Sequence, residues 1–112
     1  MKKIEMFIRP EKLEDVKRIL NAEKVHGMTV SNVSGCGNQK GLVETYRGIE
    51  FSLNLLPKIK IESIVHDEIV DSLIDKITAA IQTGKIGDGK IFVYNVEKAI
   101  RIRTNEKGEA AI

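Results

Sequence analysis

The order in which strand and helix periods follow one another constrains this chain most. Residues 2 to 8 alternate, with Ile4, Met6 and Ile8 on one face and Lys3, Glu5 and Phe7 on the other, which is a strand period. Arg9-Pro10 ends the strand, and a proline fits the first turn of a helix. Leu13, Val16, Ile19 and Leu20 then recur at helical spacing, opposite Lys12, Glu14, Asp15 and Lys17. Gly27 breaks the chain before a second strand, 28 to 33, and a third strand at 55 to 65 alternates Ile59 and Ile61 with Lys58, Lys60 and Glu62. Asp67 fits as the N-cap of a second helix whose apolar stripe is Ile69, Val70, Leu73, Ile74, Ile77 and Ile81. A last strand, 91 to 96, follows a glycine-rich run.

The order is β-α-β-β-α-β, the ferredoxin-like α+β arrangement of an antiparallel sheet. Two helices cover one face of such a sheet and leave the other open. Apolar residues on that open face need a ligand or further subunits, so an oligomer is expected. With 112 residues and no repeats, the whole chain, 1–112, reads as one domain with one core.

The span from 36 to 54 breaks this economy. Connections between paired strands usually take 2 to 5 residues, and a long loop in a small domain is usually functional or disordered. It holds Gly37, Gly41 and Gly48, the cations Lys40 and Arg47, and the anchors Tyr46 and Phe51. The plain alternative is a long hairpin whose strands run past the domain body. A mobile partner-binding loop is the expectation.

Composition removes several classes of function. A hydrophobic fraction of 42% with 30% charged residues fits a globular domain. No apolar run approaches the ~18 residues of a spanning helix. The start, Met1-Lys2-Lys3-Ile4-Glu5, enters the strand pattern without the apolar core of a secretory signal. The one cysteine, Cys36, has no intramolecular partner, and a cytoplasmic setting is expected. A net charge of +2 is too small to argue for nucleic acid. An RNA-recognition module of the same strand order needs clustered aromatics, and three Phe with two Tyr do not form the cluster. His26 and His66 have neither a nearby acid nor metal-ligand spacing in sequence, so they read as surface or turn residues. Cys36 reads as a small packing residue.

The chemistry concentrates near the end of the chain. The glycine-rich segment at 82–90 includes Thr83-Gly84-Lys85-Ile86-Gly87-Asp88-Gly89-Lys90, where glycines let backbone N–H groups approach an anion and Lys90 adds a charge. Residues 84 to 90 match G-x-x-x-x-G-K, but Ile91 stands where a P-loop needs Ser or Thr. The flanks are also reversed, because this run follows a helix and opens a strand. The plain alternative is a glycine-rich helix stop. In the basic segment 101–112, alternation in an extended Arg101-Ile102-Arg103 would put both guanidiniums on one side, a geometry suited to polyphosphate. A solvated basic tail is the alternative. With Lys90, the three cations could meet on one nucleotide, and Thr29 and Glu62 could bond a base or ribose. No positioned general base is visible, so a binding protein is expected, with a phosphoryl-transfer enzyme built on the glycine run as the competing reading.

Taken together, these segments resemble the PII nitrogen-regulatory signalling family over essentially the whole chain. The resemblance rests on Lys2-Lys3-Ile4-Glu5, Arg9-Pro10-Glu11-Lys12-Leu13, Gly27-Met28-Thr29-Val30-Ser31, Gln39-Lys40-Gly41, Tyr46-Arg47-Gly48, Leu56 to Glu62, Thr83 to Val93 and Arg101 to Thr104. It implies a homotrimer with inward-facing sheets that binds ATP and ADP competitively in clefts between subunits. Gly87, Asp88, Gly89 and Lys90 would embrace the phosphates, Arg101 and Arg103 would reach over from a neighbour, and Thr29, Glu62 and Ile64 would line base and ribose. Gly37 and position 38 belong to the same nucleotide set. With ATP and Mg2+, 2-oxoglutarate would bind at the loop base, where Gln39 ligates the metal, Lys58 pairs with a carboxylate, and Gly37 and Gly41 donate N–H groups.

Position 38, usually arginine in the family, is Asn38, which would weaken nucleotide binding modestly or shift the ATP/ADP preference. Ile49 and Phe51 stand where some members carry a modifiable serine or tyrosine, so covalent control at those positions is not expected. The family regulates ammonium channels, glutamine synthetase-related proteins and other nitrogen-metabolism enzymes or regulators. By the resemblance, Tyr46, Arg47, Gly48 and Phe51 would form the partner-binding part of the loop. Arg47 would enter the mouth of an ammonium channel, the chain's only implied link to a membrane.

Overall fold

A computed structural model of the protein describes residues 1–36 and 55–112 in full, and the backbone of 43–46 and 49–52. Strand β1 is Lys2–Ile8, α1 is Leu13–Ala22, β2 is Thr29–Gly35, β3 is Val43–Tyr46, β4 is Ile49–Ser52, β5 is Leu56–Val65, α2 is Val70–Ile81 and β6 is Gly89–Asn95. The main sheet runs β2-β5-β1-β6, and every pairing in it is antiparallel. This is the ferredoxin-like order that the sequence periods predict. Among the described residues no helix is long and apolar enough to cross a membrane.

The two periods meet in one core. Ile4, Met6 and Ile8 of β1 and Ile59, Ile61 and Val65 of β5 point to the same side of the sheet. Val16 and Leu20 of α1 and Leu73, Ile77 and Ile81 of α2 cover them. Leu73, Ile77 and Val16 are completely buried, and helices this short depend on such packing more than on propensity. Ser63, the buried polar residue of the sheet, donates to the Gly27 carbonyl at 2.5 Å, so its hydroxyl is satisfied.

Four details depart from the sequence reading. Pro10–Lys12 and Asp67–Ile69 form 3-10 turns that lead into the helices. Asp67 is therefore not an N-cap: it makes no capping bond, and its carboxylate lies 2.7 Å from the Met1 ammonium. Within 36–54, β3 and β4 pair antiparallel with Val43 opposite Ser52 and Tyr46 opposite Ile49, so part of the hairpin alternative is present. Finally, the centre of the open sheet face is charged and not apolar. Lys3 pairs with Glu5 at 3.1 Å and Lys60 with Glu62 at 2.7 Å, while Phe7 and Phe92 meet edge to face and Lys3 lies over Tyr94.

Candidate functional site

The glycine run is shaped by where α2 stops and β6 must start. After Ile81 the chain passes through Gly84 and Gly87, both at positive φ, to reach Gly89, whose φ is +101°. A side chain at Gly89 would place its Cβ 1.7 Å from the Phe7 carbonyl oxygen. Only glycine lets β6 close against β1 at this point.

One carboxylate organises the turn. Asp88 accepts from the Thr83 N–H at 2.9 Å, the Gly84 N–H at 2.9 Å, the Thr83 hydroxyl, and the Arg9 Nε at 3.2 Å. Arg9 also donates to the Ile86 carbonyl at 2.9 Å. The Thr83 hydroxyl and N–H, with the Gly84 N–H and Arg9, hold the Asp88 carboxyl far below the usual carboxylate range. Its pairing adds stability that is fully present above the unfolded-state value of about 4 and is lost as pH falls toward the folded value. Thermal unfolding across pH should therefore show a shallower acid limb for Asp88→Asn than for the wild type between about pH 4 and pH 2. Parallel limbs would contradict this role.

The run faces a cleft of about 620 Å³, within the range of small-molecule sites. Three lysines, Lys58, Lys85 and Lys90, line it together with the backbone of Gly87 to Gly89. Phe7, Ile86 and Phe92 form an apolar wall, and Val33 to Cys36 form a rim. Among the described residues nothing in the chain accepts from the N–H of Ile86 or Gly87. Lys58 donates to the Gly87 carbonyl at 2.8 Å, which ties β5 to the run. Burial pushes the Lys58 ammonium down from its ordinary value, and the Arg9 charge adds to this. Cations with backbone donors beside an apolar wall suit a phosphorylated or carboxylated ligand carrying a flat ring.

The structure thus brings Lys58, Gly87, Asp88, Gly89 and Lys90 together. It keeps Thr29, Glu62 and Ile64 out of the cleft. Thr29 lies opposite Glu62, and Glu62 and Ile64 stand farther along β5 on the open face. Lys60, through its hydrogen bond, holds the Glu62 carboxyl below its ordinary value. Arg101 and Arg103 do not line the cleft either. The extended geometry expected for 101–103 gives way to a turn, in which Thr104 and Asn105 both donate to the Arg101 carbonyl. Asn105 takes φ 60°, and Glu106 accepts from Arg101 and from the Thr104 hydroxyl, so the local polar side chains favour the turn. The tail is not a free solvated end, because Gly108 donates to the Ala99 carbonyl and Glu109 contacts Met1 and His66. His66, exposed as expected, therefore has an acid partner that is distant in sequence.

Gly37, Asn38, Gln39, Gly41, Arg47 and Gly48 lie outside the described residues, and of Tyr46 and Phe51 the backbone alone is described. Among the described residues no group of three His, Cys, Asp or Glu side chains could hold a metal ion, and the carboxylate in the cleft is taken up by its donors. Sequence reading quoted Lys85 and Ile86 within the run without giving them a role, and missed Arg9 and Phe7, because no local pattern marks a residue whose partner is distant in the chain.

This antiparallel sheet, with its lysine-lined cleft at a glycine run, defines an α+β domain of the ferredoxin-like order. The sequence model for nitrogen regulatory protein P-II matches residues 1–106. The chain is 56% identical to nitrogen regulatory protein P-II of Haemophilus influenzae, and 54% identical to nitrogen regulatory protein P-II 1 of Escherichia coli K12 and to P-II of Klebsiella oxytoca, each over the full length of both chains. The protein belongs to the nitrogen regulatory protein P-II family, and is a signalling protein and not an enzyme.

Proposed function

We propose that the chain acts as a cytoplasmic homotrimeric sensor that binds ATP and ADP competitively, binds 2-oxoglutarate together with Mg-ATP, and signals through the 36–54 loop. The observation that carries the reading is the convergence of Lys58, Lys85 and Lys90 on the glycine-run backbone beside an apolar wall. Phosphates would lie against Lys90 and the Gly87 to Gly89 backbone. The remaining nucleotide set, Thr29, Glu62 and Ile64 with Arg101 and Arg103, is held apart from that cleft within one chain. A site assembled from neighbouring subunits would unite the sets. The half-exposed Phe92 and Tyr94 on the open face are consistent with such packing.

Lys58 would exchange its Gly87 carbonyl for a carboxylate of the oxoacid, beside N–H donors from Gly37 and Gly41 and a magnesium held by Gln39. Exchanging that partner alters the base of the loop, so oxoacid and target would oppose each other by linkage. The proposed target is an ammonium channel, with glutamine synthetase-related proteins as a further group. Arg47, between β3 and β4 in sequence, would place its guanidinium against backbone carbonyls at the channel mouth, and a trimer would present three of them. A phosphoryl-transfer enzyme is disfavoured because Asp88, the carboxylate lining the cleft, is too weak a base when held so far down.

Membrane co-sedimentation with the channel tests the output. Retention is expected with ADP, and release with Mg-ATP and 2-oxoglutarate. Arg47→Ala should lose retention by at least about tenfold while binding nucleotide normally. Retention indifferent to both the effectors and the substitution would sink the channel reading.

A further inference from the structure

We propose that Arg9 and Thr83 are positioning residues of the nucleotide site, acting through Asp88. The proposal rests on the nucleotide reading above and assigns the Asp88 side chain a task distinct from contacting phosphates.

A carboxylate facing a polyphosphate would repel it. The Asp88 carboxylate instead turns back into its own loop and accepts from Thr83 and Gly84 at the start of the turn and from Arg9. Arg9 directly follows β1, so its backbone is tied to the sheet edge where Ile8 pairs with Gly89. Its guanidinium spans the loop, with Nε on Asp88 and a terminal nitrogen on the Ile86 carbonyl. Both members of the ion pair are mostly shielded, at 18% and 23% side-chain exposure, so solvent weakens it less than an open surface pair.

The consequence falls on Ile86 and Gly87. Two glycines at positive φ, Gly84 and Gly87, would leave this turn many conformations if it were untethered. Arg9 holds the Ile86 carbonyl, which fixes the Ile86–Gly87 peptide plane, and the Asp88 N–H on the Lys85 carbonyl at 3.4 Å holds the Lys85–Ile86 plane. The N–H groups of Ile86 and Gly87 are then set in orientation before any anion arrives. Preorganised donors cost less to engage than donors that must first be ordered.

Calorimetric titration of the full chain with ATP tests this. Thr83→Val keeps the side-chain shape and removes the hydroxyl, and should weaken ATP binding about tenfold, the loss expected for a hydrogen bond to a charged group. Thr83→Ser restores the hydroxyl and should bind within about twofold of wild type, a rescue that a packing role for the methyl group would not give. Arg9→Gln should weaken binding in the same direction, and Arg9→Lys should recover part of it. Hydrogen exchange of the ligand-free protein should be faster across 83 to 89 in Thr83→Val and unchanged in α1. Wild-type binding that Thr83→Val and Arg9→Gln leave unaltered would overturn the proposal alone. A wild type that binds no ATP would remove the nucleotide reading and the proposal with it.

Discussion

Gly89→Ala should destabilise the protein by roughly 3 kcal/mol or more, lowering the unfolding midpoint by more than about 10 °C. Two costs combine. The position sits at φ +101°, where an L residue is strained by ~1–3 kcal/mol. The added Cβ would also lie 1.7 Å from the Phe7 carbonyl oxygen, a contact that only backbone movement can relieve. Relief means parting β6 from β1 where Ile8 faces Gly89, and Lys90 would move with it. Nucleotide affinity should therefore fall together with stability. Gly84→Ala is the control, because φ is +82° there but the space is open, and the strain term alone should appear. Equal midpoints for the two variants in a thermal melt would show that closure against Phe7 is not what demands glycine at 89.

The second large effect is on binding. Lys90→Ala should weaken both ATP and ADP by roughly ten- to a hundredfold, the range for removing a charge-assisted phosphate contact. The side chain is exposed at the start of β6, so the midpoint of unfolding should hold within about 2 °C. Rapid ATP hydrolysis in the wild type, lost in Lys90→Ala, would instead indicate a phosphoryl-transfer enzyme.

Much of the scaffold is legible in the residues, because each element carries its own period. Lys2–Ile8 alternates so regularly that the strand's bounds coincide with the periodic run, and the Leu73, Ile77 and Ile81 stripe marks the buried side of α2. What is illegible depends on partners distant in sequence. Nothing around Asp67 announces that the Met1 ammonium will claim its carboxylate, and nothing near Arg9 points to Asp88. The turn at 101–105 defeats simple alternation, since Thr104 and Glu106 bond locally and favour a curl over an extended arm. The cleft is half legible. Its glycines and Lys90 stand in one run, whereas Lys58 and Phe7 join it only through the pairing of β5 and β6 on β1.

The charged centre of the open face bears on assembly. Lys3, Glu5, Lys60 and Glu62 satisfy one another within the chain, so a neighbouring subunit would meet paired charges flanked by Phe92 and Tyr94. Such a face favours a specific register over unselective apolar association.

We propose that one cleft couples a nucleotide to an oxoacid. This coupling is tested most directly by titrating 2-oxoglutarate into the protein in three solutions: Mg-ATP, ATP with a chelator, and Mg-ADP. Saturable heat is expected with Mg-ATP, and at least about tenfold weaker binding in the other two, a coupling of the ordinary allosteric size. Equal 2-oxoglutarate binding in all three solutions, or none in any, would contradict it.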